Sequence, residues 1–169
     1  MLNSVMFQLG LFEAPVYNQS SVNGVDPDAS DGKRMSVEHS INHDARLIVT
    51  VWNGPASGQS LMHALRDYQD KIKADVSVQS YHELLDFRLI TKVDLSAREM
   101  LTLSRMAQLS DLSNVRTRLA LVVASPLIFG LSRMYIAYRT LVPNANKDLA
   151  VFKSMDDAKQ WLYPGASSS

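Results

Sequence analysis

Residues 118–124 read RLALVVA, an apolar run without alternation, and a strand of that kind needs cover on both of its faces. A parallel sheet flanked by helices gives such cover. The next residues agree, because Ser125-Pro126 offers an N-cap followed by proline at the first helical position, where the missing N–H costs nothing. Leu127, Leu131, Met134, Tyr138 and Leu141 then recur at helical spacing, so they are expected to form the core stripe of a helix ended by Pro143. Ile128, Phe129, Tyr135, Ile136 and Val142 widen the apolar surface beyond one stripe. The surplus predicts cover, either by the flanking helices and the N-terminal segment MFQLGLF or by a second copy of the chain in a homodimer.

The rest of the chain repeats this alternation. Residues 36–41 and 46–53 are extended runs joined by Asn42-His43-Asp44-Ala45, which predicts a hairpin stopped by Gly54-Pro55. Ser57 can cap a helix carrying Leu61, Leu65, Tyr68 and Ile72, ending near Lys73. Residues 82–88 form a third strand, and a loop leads to a helix over about 97–109. Residues 149–152 are a last strand, and Ser154 caps a final helix with Ala158, Trp161 and Leu162. A hairpin followed by alternating strands and helices predicts an α/β fold with right-handed crossovers and a mixed, mostly parallel sheet. Residues 18–33, rich in Ser, Asn, Asp and Gly, have no period. The domain is therefore placed at 35–164, after a poorly ordered N-terminal extension over 1–34 and before a polar tail over 165–169.

Composition removes several functions. Seventeen basic residues balance seventeen acidic ones, so no global field draws the chain to nucleic acid or an anionic membrane. The absence of cysteine excludes disulfides, thiolate nucleophiles and thiolate metal sites, and fits a cytoplasmic protein. No apolar run approaches the ~20 residues of a membrane span. No phosphate loop, nucleophile elbow or paired-carboxylate pattern occurs, and no histidines stand at ligand spacing on one helix. No catalytic residue, cofactor or metal is therefore expected.

The start of the second helix concentrates the remaining polar signals. Ser96 suits the N-cap, Glu99 completes a capping box, and Leu95 and Met100 stand at the positions of a hydrophobic staple. Such a start can serve an anion or a partner's carboxylate. Arg88, Asp94, Ser96, Ser125 and Arg133 are the candidate partner- or ligand-binding residues. Gly130, three residues before Arg133, is expected where the helix backbone approaches a neighbour closely. Phe129, Met134 and Tyr135 are candidates for an apolar pocket or interface, with Met100 and Met106 as further pocket residues.

The element order, with LDFRLITKVDLSAREM, RLALVVASPLIFGLSRMY and VFKSMDDAKQWL in their places, resembles the SpoIIAA-like group over about residues 35–164. This is the STAS superfamily of anti-sigma-factor antagonists, in the bacterial and mostly uncharacterised branch that is also similar to CRAL-TRIO lipid-transfer domains. The resemblance implies a non-enzymatic regulatory module acting through a protein partner, or else a carrier or sensor of a small apolar or lipid-like ligand. Regulatory members carry Asp-Ser-Ser after the third strand, and a partner kinase phosphorylates the first serine. Here the matching residues are Asp94, Leu95 and Ser96, so Leu95 holds the phosphoacceptor position and no serine-kinase switch is expected.

Overall fold

The computed structural model describes residues 34–108, 111, 115–141 and 146–164. Expectations for residues 1–33, for Leu109, Val142 and Pro143, and for 165–169 lie outside them. The hairpin pairs β1 (Ser36–Asn42) with β2 (Leu47–Ser57) in antiparallel register, Ser36 opposite Asn53 and Asn42 opposite Leu47. Its turn uses the expected chemistry: the Ala45 N–H donates to Asn42 Oδ1 at 2.8 Å, and Arg46 takes a positive φ of 51°.

Helix α1 (Gly58–Tyr68) is started by Ser57 and Ser60 in a reciprocal capping box, and continues through a wider π turn at Gln69–Lys73. A short 3₁₀ turn (Val76–Val78) precedes β3 (His82–Asp94); α2 (Ala97–Gln108), β4 (Thr117–Val122), α3 (Pro126–Thr140), β5 (Lys147–Phe152) and α4 (Met155–Leu162) follow. The strands lie in the order β1-β2-β3-β4-β5, and every pair after the hairpin is parallel. Each parallel connection carries one helix. Successive right-handed crossovers between neighbouring strands put those helices on one face, and α1 packs on α2 and α2 on α3. Helix α4 packs on β4 and β5.

Two apolar layers follow. Trp52, Ala56, Leu61, Ala64, Ile90, Val123 and Ile128 fill the space under the first three helices, whereas Leu84, Ala120 and Val122 meet Ala158 and Leu162 of α4. The run at 118–124 is thus covered on both faces, as expected.

Three expectations are corrected. Gly54-Pro55 does not stop β2: the strand bends there, with Gly54 at φ 92°, and pairs with β3 to its end, Ser57 opposite Asp94. Pro55 is tolerated because β1 already ends opposite Asn53, which leaves this part of β2 an edge. The third strand runs to Asp94 instead of ending at Arg88. On α3, Leu127 and Leu141 are 63% and 76% exposed, while the inward positions are Ile128, Ser132 and Arg139. That is a rotation of one residue, about 100°, and a buried arginine in the inward face hides it from apolar counting.

Two histidines give the fold a pH dependence. His82 Nδ1 accepts the Arg118 backbone N–H at 3.2 Å, and burial followed by the Arg118 and Arg46 charges holds its pKa below 6.5. His39 Nδ1 pairs with Thr50 Oγ1 at 3.0 Å, and its pKa is lowered by burial and then by Lys71. Both stay neutral in the fold while the unfolded chain takes up protons as pH falls through 6.5. Their stabilisation is therefore complete above 6.5 and is lost as pH falls toward and through the folded values. Urea midpoints should drop between about pH 7.5 and about pH 5.5, and His82→Gln should shrink that drop.

Candidate functional site

Strand β4 follows β3 only from Glu83 to Asp86, where Val122 is the last partner. Residues 87–94 of β3 continue beside β2 alone, with register shifts after Val51 and after Gly54. Among the described residues no strand pairs with their other edge. The result is a two-stranded ribbon standing beyond the carboxyl ends of the sheet, the end at which open α/β sheets bind ligands.

At its root the Asp86 carboxylate is buried and receives the Arg88 guanidinium as a fork: Nε to Oδ1 at 2.9 Å and Nη2 to Oδ2 at 2.7 Å, with the Arg88 backbone N–H on Oδ1 at 3.0 Å. The hydrogen bond to Asp86 raises the Arg88 pKa above its ordinary value. Leu89 is 54% exposed, and Thr91, Lys92 and Asp94 are exposed with it.

The start of α2 at the ribbon's end is already occupied. Glu99 Oε2 accepts the Ser96 N–H at 2.8 Å and the Ser96 hydroxyl at 2.6 Å, and these bonds lower its pKa. Glu99 also lies over the start of α1, since a Cβ on Gly58 would come within 2.4 Å of its carboxyl carbon. A phosphate on Ser96 would confront this carboxylate. The capping box is therefore present, and it takes up the Ser96 and Glu99 N–H groups from within the helix.

Ser125 stands at the N-cap of α3 but makes no side-chain cap bond. Arg133 is exposed, and a Cβ on Gly130 would meet nothing within 4 Å, so the expected close approach at Gly130 is absent. Gly130→Ala should accordingly stabilise the protein by up to about 1 kcal/mol through helix propensity alone, read as a rise in urea midpoint. Arg88, Asp94 and Ser96 cluster along the ribbon and its exit, whereas Arg133 lies two turns into α3.

Beneath the helices a cavity of about 110 Å³ is walled by Trp52, Phe87 and Ile90 of the sheet, Leu61 of α1, Met100 of α2 and Tyr135 of α3, among others. Of the five residues expected in a pocket, Met100 and Tyr135 line it. Phe129, Met134 and Met106 do not; Phe129 instead lies under the Lys153 ammonium, 5.3 Å from its ring centre.

The sequence reading missed a buried ionic cluster at the opposite end of the sheet. Lys147 Nζ lies 2.7 Å from Glu83 Oε1 and 2.8 Å from Asp111 Oδ1; Arg139 bonds Asp111 through Nη2 and Tyr135 Oη through Nη1, the latter at 2.8 Å. All four charged side chains are at most 7% exposed. Burial depresses the Lys147 pKa, and the Glu83 and Asp111 charges more than reverse it, leaving the ammonium firmly charged. The signal in the sequence is slight: Arg139 is the one charge in the apolar segment 134–142, whereas Glu83, Asp111 and Lys147 stand among other polar or charged residues. Among the described residues no group of acidic and histidine side chains could hold a metal, and no helix is long and apolar enough to cross a membrane.

No family model matches the chain, and no curated protein matches it. Among solved structures it is similar to an uncharacterized protein of the DUF3478 family with a SpoIIAA-like fold from Shewanella loihica PV-4. The TM-score is 0.50 at 15% identity, covering 79% of this chain and 98% of that one. At this identity the likeness concerns the fold, which is SpoIIAA-like as expected.

Proposed function

We propose that this chain is a non-enzymatic interaction module that binds another protein at the carboxyl end of its sheet, along residues 87–94, which include Arg88 and Asp94, and the neighbouring Ser96. The observation that carries this reading is the edge of β3 beyond Asp86, which no strand among the described residues pairs with. An extended segment of a partner can add there as a further strand, taking affinity from backbone hydrogen bonds and specificity from side chains such as Leu89. Arg88, Lys92 and Asp94 supply charges that keep such an edge from pairing indiscriminately. A photo-crosslinking residue at Leu89, in cells of the source organism, should yield one discrete adduct. The same group at Val76, exposed at the amino end of β3, should yield none. Asp94→Lys should weaken the Leu89 adduct. Adducts that form equally at both positions, or survive Asp94→Lys unchanged, would rule the surface out.

A second reading concerns self-association. Leu127, Leu131, Met134, Tyr138 and Leu141 share one face of α3, about 21 Å long, whose two ends are exposed. A second copy would cover this stripe in a two-fold dimer. Sedimentation equilibrium should then show dimers that Leu127→Glu dissociates; a monomer up to about 100 μM would end this reading.

A further inference from the structure

We infer that residues 6–12 of this chain, MFQLGLF, dock in the apolar cavity under α1, α2 and α3 and cover its open side from within the same molecule. The inference does not rest on the strand-edge reading.

The cavity suits an uncharged, apolar occupant. Its wall is almost wholly aliphatic and aromatic, and no ionised side chain lines it. Phe87, Val93, Leu95, Leu103 and Leu131 in that wall are only half-buried, so the cavity reaches the surface, and removing its rim from water is favourable. A charged occupant would lose its hydration with nothing to replace it.

The chain carries such an occupant and tethers it at the cavity. No charged side chain occurs before Glu13, and Met6, Phe7, Leu9, Leu11 and Phe12 are apolar. Laid extended against the wall, the segment would put Phe7, Leu9 and Leu11 on one side and Gln8 and Gly10 on the other. The described chain starts at the same place. Met35 packs on Trp52, Ala56, Leu61, Ile90 and Ile128, all five of which line the cavity. One residue earlier, the Arg34 carbonyl oxygen stands 2.8 Å from where a Cβ on Gly54 would lie, and Gly54 is the β2 partner of Ile90. Residues 13–33 join the segment to this anchor, and a tether of their length has an r.m.s. reach of about 25 Å. It holds the segment at an effective concentration on the order of millimolar, which an untethered partner or a second copy would have to match.

Isotope-edited methyl NMR on the full chain tests the docking. The Leu9 and Leu11 methyls should show through-space contacts to those of Ile90, Val93, Leu103 and Ile128, and none to Leu162 on the other face of the sheet. Phe7→Asp combined with Leu11→Asp should abolish the Leu9 contacts and shift the four cavity methyls, while the Ala158 and Leu162 methyls of α4 keep their positions and report an intact fold. In a mixture of differently labelled chains, no contact should join one copy to another. Absence of the Leu9 and Leu11 contacts, contacts to the outward Leu127 and Leu141 instead, contacts between copies, or cavity methyls unmoved by the double substitution would overturn the inference.

Discussion

Replacing Lys147 by methionine is expected to cost about 3–5 kcal/mol of stability, the largest effect of any single change proposed for this protein. Lys147 lies between Glu83 and Asp111. Asp111 keeps Arg139 when the ammonium is removed, but Glu83, on an interior strand and buried, loses the cation 2.7 Å from its Oε1. A buried carboxylate stripped of its nearest cation is expensive, whereas replacing both members of a pair with apolar groups of similar volume is often neutral. Lys147→Met combined with Glu83→Leu should therefore recover most of the loss. The exposed pair of Arg116 and Asp148, with Nη2 at 2.7 Å from Oδ1, offers the contrast: Arg116→Ala should barely move the urea midpoint. Urea unfolding of the three variants checks the ranking, and a Lys147→Met loss no larger than that of Arg116→Ala would show that the cluster carries little of the fold.

Gly54→Val is the next largest, at about 2–3 kcal/mol. At φ 92° a β-branched residue is strained, and its Cβ would stand 2.8 Å from the Arg34 carbonyl oxygen, which belongs to backbone and cannot swing aside. The consequence reaches the site, because Gly54 is where β2 bends to follow β3 beyond the sheet. Urea unfolding should give the loss. Backbone amide shifts should change along residues 54–57 and 90–94 and remain as in the wild type in α4.

The contrast between legible and hidden features follows from what sequence periodicity measures. The run at 118–124 could be read because β4 has cover on both faces, so every position demands the same chemistry. The helix starts could be read because Ser57, Ser96 and Ser154 satisfy backbone N–H groups by local bonds. Residues 89–94 read as a loop for a physical reason. The ribbon's inward residues are Phe87, Ile90 and Val93, three apart, because the two register shifts break the two-residue alternation of a regular strand. Glycine and proline at 54–55 read as a stop because local punctuation cannot tell the end of a strand from an edge strand that bends. Helix α3 failed differently: its inward face includes Ser132 and Arg139, and the charge that Arg139 answers lies 28 residues away on Asp111. The cavity residues Met100 and Tyr135 were reachable as apolar positions on helices, but their meeting with Trp52 depends on how three helices pack over one sheet.

The open edge of β3 is the claim on which the proposed function stands, and native-state hydrogen exchange tests it without any partner. Amides of residues 83–86, flanked by β2 and β4, should show protection close to that of global unfolding. Along residues 87–94 the amides directed to β2 and the Arg88 amide held by Asp86 should stay protected, and the others should exchange orders of magnitude faster. Uniform protection along the whole of β3 would mean that the edge is already occupied, and would contradict the account.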